Sequence, residues 1–199
     1  MELRADGLAC ERGGRQVFAG LAFAIASGQL MQLTGPNGAG KSSLLRLIAG
    51  LAEWTGSLTL AGGSVDLTVG QHAHFIAHQE AVKGALTVGE NLRFWRDFLG
   101  GGDLSAALAS FSLEHLSDYP ASYLSEGQRR RLALSRLALT PRPLWLLDEP
   151  TVGLDAASQK ALAALMQAHL ARDGMIMAAT HAPLGLDPHL RLDLTGAAS

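Results

Sequence analysis

Apolar positions recur along this chain with two periods, and each change of period marks an element. Residues 3–11 and 16–25 alternate as strands do, on either side of Arg12-Gly13-Gly14, which predicts a hairpin-like entry. Residues 29–34, with Leu30, Met31 and Leu33, read as a buried strand. Leu44, Leu45, Leu47, Ile48 and Leu51 then recur at helical spacing and predict a helix over 41–51. Short strands are read at 57–60 and 72–76. Helical spacing returns over 87–98 and 104–111, with Gly100-Gly101-Gly102 as the break, and again over 125–139. A buried strand at 144–147, an Ala-rich helix at 156–172 and a last buried strand at 175–179 complete the pattern. Buried strands alternating with helices predict an α/β fold with a mainly parallel core sheet, preceded by antiparallel strands. The expected organisation is one domain over 1–199, with a small helical subdomain at about 84–138.

Composition narrows what such a domain can bind. Sixteen Lys and Arg face 18 Asp and Glu, for a formal charge of -2, so no overall field draws the chain onto nucleic acid or anionic lipid. Any polyanion must be held by a local site. Cys10 is the only cysteine, which excludes an internal disulfide, suits a reducing compartment and reads as a small buried residue on the first strand. No stretch approaches the roughly 18 apolar residues of a membrane helix, and Met1 to Asp6 lacks the basic and apolar regions of a signal peptide. A cytoplasmic chain is expected. The 23 glycines exceed the roughly 7% of an average chain, and their dispersal between apolar segments marks special turns rather than low complexity.

One of those turns carries chemistry. Gly35-Pro36-Asn37-Gly38-Ala39-Gly40-Lys41-Ser42 fits G-x-x-x-x-G-K-[ST] between a predicted strand and a predicted helix. Glycines let backbone N–H groups, through Ser43, curl around phosphate oxygens, and the helix directs its positive end at them. Lys41 suits the β and γ phosphates of ATP, and the Ser42 hydroxyl suits Mg²⁺. Asp148 and Glu149 follow the apolar strand at 144–147, where an open α/β sheet places its ligand crevice. Asp148 is assigned to Mg²⁺ and Glu149 to polarising the attacking water.

Leu124-Ser125-Glu126-Gly127-Gln128 resembles the signature motif of ABC ATPases, and its combination with both nucleotide motifs is highly specific. The resemblance covers essentially the whole chain and implies the P-loop NTPase fold. It further implies that Gln79 is the Q-loop glutamine, contacting metal and water and sensing a membrane partner. Asp155, in Gly153-Leu154-Asp155, corresponds to the D-loop aspartate, and His181 to the switch histidine on the γ-phosphate. The family forms an ATP-dependent head-to-tail homodimer, in which Ser125, Gly127, Gln128 and Asp155 would close the opposite nucleotide site. Glu126 departs from the usual glycine; a carboxylate facing a γ-phosphate would cost several kcal/mol, so it is expected to point away and is left out of the ligands.

Threading the first strands back from Gly35 puts Arg12 where many relatives stack an aromatic ring on adenine, with Phe18 six residues later; the Arg12 guanidinium is the candidate for that stacking role, the alternatives being Phe18 as the stacking residue and Arg12 as a solvated turn arginine. Arg129, Arg130 and Arg131 spread over different helix faces and read as solvated or ion-paired within the domain, with no nucleic-acid partner. His72 and His74 would share one face of a strand, but with His78 they read as ordinary exposed or core histidines rather than a metal site. Residues 8–12, 17–23, 90–95 and 180–184, with His78-Gln79, Lys83 and Leu86-Thr87, resemble the ATP-binding subunits of haem exporters in c-type cytochrome biogenesis. That resemblance implies a separate transmembrane permease and a peripheral location on the cytoplasmic face of the bacterial inner membrane. The alternatives are an ABC ATPase energising a different small-molecule transporter and a soluble ABC ATPase in cofactor assembly.

Overall fold

The computed structural model describes residues 1–195. β1 (Glu2–Arg12) and β2 (Arg15–Ala26) pair antiparallel around the Gly13-Gly14 turn, and β4 (Thr55–Ala61) pairs antiparallel with the other edge of β1. The main sheet is parallel throughout: β3 (Leu30–Thr34), β5 (Ala73–Ile76), β6 (Leu144–Asp148), β7 (Met175–Ala179) and β8 (Leu190–Asp193) lie in the order β5-β6-β7-β3-β8. Among the described residues the α-helices are α1 (Lys41–Ile48), α2 (Val88–Leu99), α3 (Leu104–Ala109), α4 (Glu126–Ser135) and α5 (Ala156–Leu170).

A strand inside a parallel sheet needs apolar side chains on both faces, and β6 supplies them from Leu144 to Leu147 before ending on the buried Asp148. Trp145 and Leu147 join one core with Leu132 and Leu134 of α4 and Leu162 and Met166 of α5. Leu144 and Leu146 join the other, with Leu44, Leu45, Leu47 and Ile48 of α1 and Leu3, Phe18 and Ile25 of the antiparallel sheet. Each fully buried side chain of this kind contributes about 1.5–3 kcal/mol. The sheet is therefore clamped from both sides, and the strand ends that carry the loops are fixed with it. Cys10 is buried in the second of these cores.

Register brings the carboxyl ends of the central strands level. Leu33 of β3 pairs with Ala179 of β7, which also lies opposite Asp148 of β6, and Ile76 of β5 lies opposite Leu147. The segments beginning at Gly35, Glu149, Thr180 and Ala77 thus leave one edge of the sheet together.

Four sequence expectations are corrected. The helix predicted over 41–51 stops at Ile48, because Gly50 turns the chain with φ of 74° and leaves Leu51 two-thirds exposed. The helix predicted over 125–139 tightens at Ser135 into a 3₁₀ turn, Arg136–Ala138. His72 belongs to the 3₁₀ turn Val69–His72, so it does not share a strand face with His74. Strand β8 carries no strong apolar run; it pairs with β3 from far along the chain.

Candidate active site

The loop between β3 and α1 is shaped for close approach to a ligand. Gly40 precedes α1 with φ of 98°, and a Cβ there would meet Val17 Cγ1 at 2.8 Å and Phe18 Cδ1 at 3.0 Å. Only glycine fits both the backbone angle and the space. Among the α-helices of the described residues, α1 alone has no side chain capping its first turn: Thr87, Asp103, Ser125 and Asp155 cap the other four. It also carries no acidic residue there. A helix start left without its own acceptor is an anion site. Lys41 folds back over the loop, its Nζ donating to Gly35 O at 2.6 Å and Pro36 O at 3.0 Å. Pro36, Asn37 and Gly38 are exposed, Ala39 and Gly40 buried, and Ser43 half-buried.

Ser42 and Asp148, far apart in sequence, meet where α1 faces the end of β6: Ser42 Oγ donates to Asp148 Oδ1 at 2.9 Å. Asp148 is buried and Glu149, next along the chain, is half-buried. Glu149 adopts φ of 46°, a left-handed conformation that costs a side-chain-bearing residue about 1–2 kcal/mol. Its N–H donates to Ala179 O at 2.8 Å, tying the turn to the end of β7. His181 follows Thr180 on that strand's extension and is exposed; Gln32 Nε2 donates to Thr180 O at 3.3 Å, bracing the segment from β3. Gln79 is exposed three residues beyond β5.

The signature pentad starts α4. Ser125 Oγ accepts from Gln128 N at 3.2 Å while Gln128 Oε1 accepts from Ser125 N at 2.8 Å, a reciprocal cap. Glu126 is exposed in the first turn, where its charge opposes the helix dipole favourably. Asp155 caps α5, its Oδ1 accepting from Ser158 N at 2.8 Å, and the Ser158 hydroxyl together with that backbone N–H holds its carboxyl below the usual range. Gly127 has an intrachain reason to be glycine: a Cβ would sit 2.9 Å from Gly153 O. The signature helix and the segment leading to Asp155 are therefore in contact.

Arg12 is exposed at the end of β1 and shares a cleft of about 260 Å³ with Ser43 and Arg46. Phe18 is fully buried behind Gly40, so it supports the loop and has no face free for a base. Of the three consecutive arginines, the solvated or ion-paired reading is corrected. Arg130 is buried, and all three donate to carbonyls: Arg129 to Leu124 O at 2.8 Å, Arg131 to Phe111 O at 3.3 Å, and Arg130 to Ala77 O, Asp148 O and Glu149 O. Sequence reasoning missed Arg130 and Gln32. Gln32 had a signal, a polar residue inside an apolar strand beside the phosphate loop; Arg130 had none, since its burial depends on how α4 packs. The histidines of the turn and strand have ordinary partners, Ser64 O for His72 at 3.2 Å and Thr140 O for His74 at 2.7 Å.

Comparison with known proteins agrees with this geometry. The family model for ABC transporter matches residues 18–152. The cytochrome c biogenesis ATP-binding export protein CcmA of Nitrobacter winogradskyi is 57% identical over 189 residues, covering 94% of each chain. The protein of that name from Nitrobacter hamburgensis is 55% identical over 193 residues, 94% of this chain and 95% of its own. Among solved structures, an ATP binding subunit of an ABC transporter superposes with a TM-score of 0.81 at 26% identity, covering 91% of this chain and 80% of that one. With the phosphate loop, the carboxylates and the signature helix carried on this fold, the chain belongs to the ABC transporter family of ATP-binding proteins, in the group of the cytochrome c biogenesis ATP-binding export proteins.

Proposed function

We propose that this chain is the ATP-hydrolysing subunit of a bacterial exporter that moves haem for the assembly of c-type cytochromes. ATP binding and hydrolysis belong to the family. The observation that carries the proposal is the Ser42–Asp148 contact with Glu149 one residue beyond, at the edge of the sheet that also releases Gly35 and His181. The cytochrome pathway is supported by the names of the near full-length relatives.

Phosphates are gripped by the N–H groups of residues 38–43 and by the open start of α1. Lys41 exchanges its two carbonyl partners for β- and γ-phosphate oxygens. Ser42 Oγ and Asp148 Oδ1 are hard oxygen donors already 2.9 Å apart, a pair that fits Mg²⁺, with Gln79 as a further contact. When bound, Mg²⁺ withdraws charge from the phosphate oxygens. Glu149 orients and polarises the attacking water, and His181 steadies the γ-phosphate. Arg12 is assigned to the adenine face, supported by its exposure in a cleft shared with Ser43.

A head-to-tail homodimer is supported by the contact of Gly127 with Gly153 O and the exposure of Ser125, Val152, Gly153 and Asp155. These residues offer one surface to a partner's nucleotide. No helix among the described residues is long and apolar enough to cross a membrane. In this reading a separate permease supplies the path and holds the subunit at the cytoplasmic face of the inner membrane, as the export role in the relatives' names suggests.

Glu149→Gln tests the chemistry. The amide keeps the shape of the carboxylate and loses its basic oxygen, so ATP still binds, hydrolysis stops and the dimer accumulates on size exclusion. Lys41→Ala instead loses nucleotide affinity. In a bacterium deprived of its own subunit, the wild-type gene should restore haem-stained c-type cytochromes and Glu149→Gln should not. Unchanged hydrolysis by Glu149→Gln would overturn the assignment, and restoration by that inactive variant would overturn the pathway.

A further inference from the structure

Arg130 makes three hydrogen bonds that no motif reading assigns. Nη1 donates to Ala77 O at 2.8 Å; Nη2 donates to Asp148 O at 3.0 Å and to Glu149 O at 2.6 Å. The residue is 3% exposed, and no carboxylate forms an ion pair with it among the described residues. Burial lowers its pKa, while the charges of Glu80, Asp148 and Glu149 act the other way. A desolvated cation held only by backbone carbonyls is an expensive way to pack a helix. An apolar side chain would fill the space at lower cost, so the guanidinium must do something that packing alone does not.

Its partners identify that role. Ala77 begins the segment that reaches Gln79, and Asp148 and Glu149 end β6. Arg130 itself lies in α4, the helix opened by Ser125. One planar guanidinium thus joins the signature helix to the backbone of two other motifs. Glu149 has a left-handed backbone held on one side by Ala179 O through its N–H, and on the other its carbonyl accepts from Arg130 at 2.6 Å and from Val152 N at 3.3 Å, the guanidinium being the shorter contact and the one that comes from α4. Lysine would offer a single ammonium in place of this fork.

We infer that Arg130 is a positioning residue for ATP hydrolysis: it fixes the peptide that carries Glu149 and registers the signature helix against it. The inference rests on the reading of Glu149 as the carboxylate that polarises water. Movement of α4 relative to the sheet would draw Nη2 off Glu149 O, so closure of α4 on a partner's nucleotide is transmitted to the hydrolytic carboxylate through one side chain.

The test uses the full chain with Arg130→Met, Arg130→Lys and, separately, Glu149→Gln. Single-turnover hydrolysis of radiolabelled ATP gives the rate, titration with a fluorescent ATP analogue gives affinity, and thermal unfolding checks folding. Arg130→Met should bind nucleotide within about threefold of wild type and hydrolyse it about 100-fold more slowly, the loss typical of displacing a catalytic group by around an ångström. Arg130→Lys, of similar volume but still a donor, should recover part of that rate. A structural role alone would make Met and Lys equivalent and would lower affinity together with rate; either result overturns the inference, as does a rate within threefold of wild type for Arg130→Met. If Arg130→Met does not fold, Arg130→Lys carries the test: its rate must fall while its affinity holds. Normal hydrolysis by Glu149→Gln removes the underlying reading instead, whatever the Arg130 variants do.

Discussion

Replacing Gly127 with alanine isolates the contact between the signature helix and the segment that leads to Asp155. The new Cβ would lie 2.9 Å from Gly153 O, whereas ordinary contact begins near 3.4 Å, so one backbone or the other must give by about half an ångström. The obstacle is a carbonyl rather than a flexible side-chain tip, which leaves no rotamer to absorb the clash. Alanine favours a helix over glycine by up to about 1 kcal/mol, while overpacking costs about 1–3 kcal/mol. The two largely offset, and global stability should change by no more than about 2 kcal/mol. Catalysis has no such compensation. If a displacement of an ångström costs roughly 100-fold, half of that costs about tenfold. Urea unfolding, titration with a fluorescent ATP analogue and phosphate release at saturating ATP separate these effects. Affinity should stay near wild type and the protein should remain folded, within about 2 kcal/mol of wild-type stability, while kcat falls about tenfold. An unchanged kcat would refute the reasoning, and so would a fall in kcat matched by an equal fall in stability.

Two further changes probe the loop and the core. Gly40→Ala combines a positive φ of 98° with contacts of 2.8 and 3.0 Å to Val17 and Phe18; the backbone part costs about 1–2 kcal/mol and the overpacking about 1–3 kcal/mol. Urea unfolding should show Val17→Ala recovering part of the second component and none of the first, and strictly additive effects would contradict the clash. His74 is 4% exposed, and burial depresses its pKa from 6.5 to about 4, with Arg136, Arg142 and His169 nearby adding to the effect. The unfolded chain therefore takes up a proton near pH 6.5 that the folded chain refuses until about pH 4, so stability falls across that window, by about 2 kcal/mol between pH 7 and pH 5 from this group alone. His74→Gln keeps a donor for Thr140 O and should flatten the pH dependence of urea stability by that amount; an unchanged slope would show that His74 is not held neutral.

The sequence made legible what depends on neighbours along the chain. The loop from Gly35 to Ser42, the carboxylates after β6 and the Ser125 cap are local patterns, and their side chains lie where local geometry sends them. Length and register were less legible. Helix α1 ends early because Gly50 turns left-handed, a choice the apolar spacing through Leu51 could not reveal. Strand β8 shows only Leu190 and Leu192 alternating with charged residues, and it becomes a strand because the edge of β3 is available to it. The arginine triplet was illegible for the same reason: three identical side chains differ only in what α4 happens to cover. Several residues also serve twice. Asp155 caps its own helix and Gly127 clears its own chain, so the local reason for each is complete before any partner is considered.

This double use bears on how a chain of net charge -2 can hold ATP. Four of the groups assigned to phosphate, metal or the opposite nucleotide have a polar partner within the chain: Lys41 has the carbonyls of Gly35 and Pro36, Ser42 has Asp148, Ser125 has Gln128, and Asp155 has Ser158. In the proposed reading, nucleotide binding proceeds by exchanging partners, and the cost of desolvating Lys41 is already met by folding. A wide basic surface would add long-range attraction at the expense of selectivity among polyanions. Short-range exchange asks the ligand to match the spacing of fixed donors, and the start of α1 is the one place in that set where donors lack a side-chain cap. In the proposed reading, specificity for a polyphosphate comes from geometry concentrated at Gly35 to Ser43, where three of the 23 glycines shape the loop, rather than from any surplus of cations.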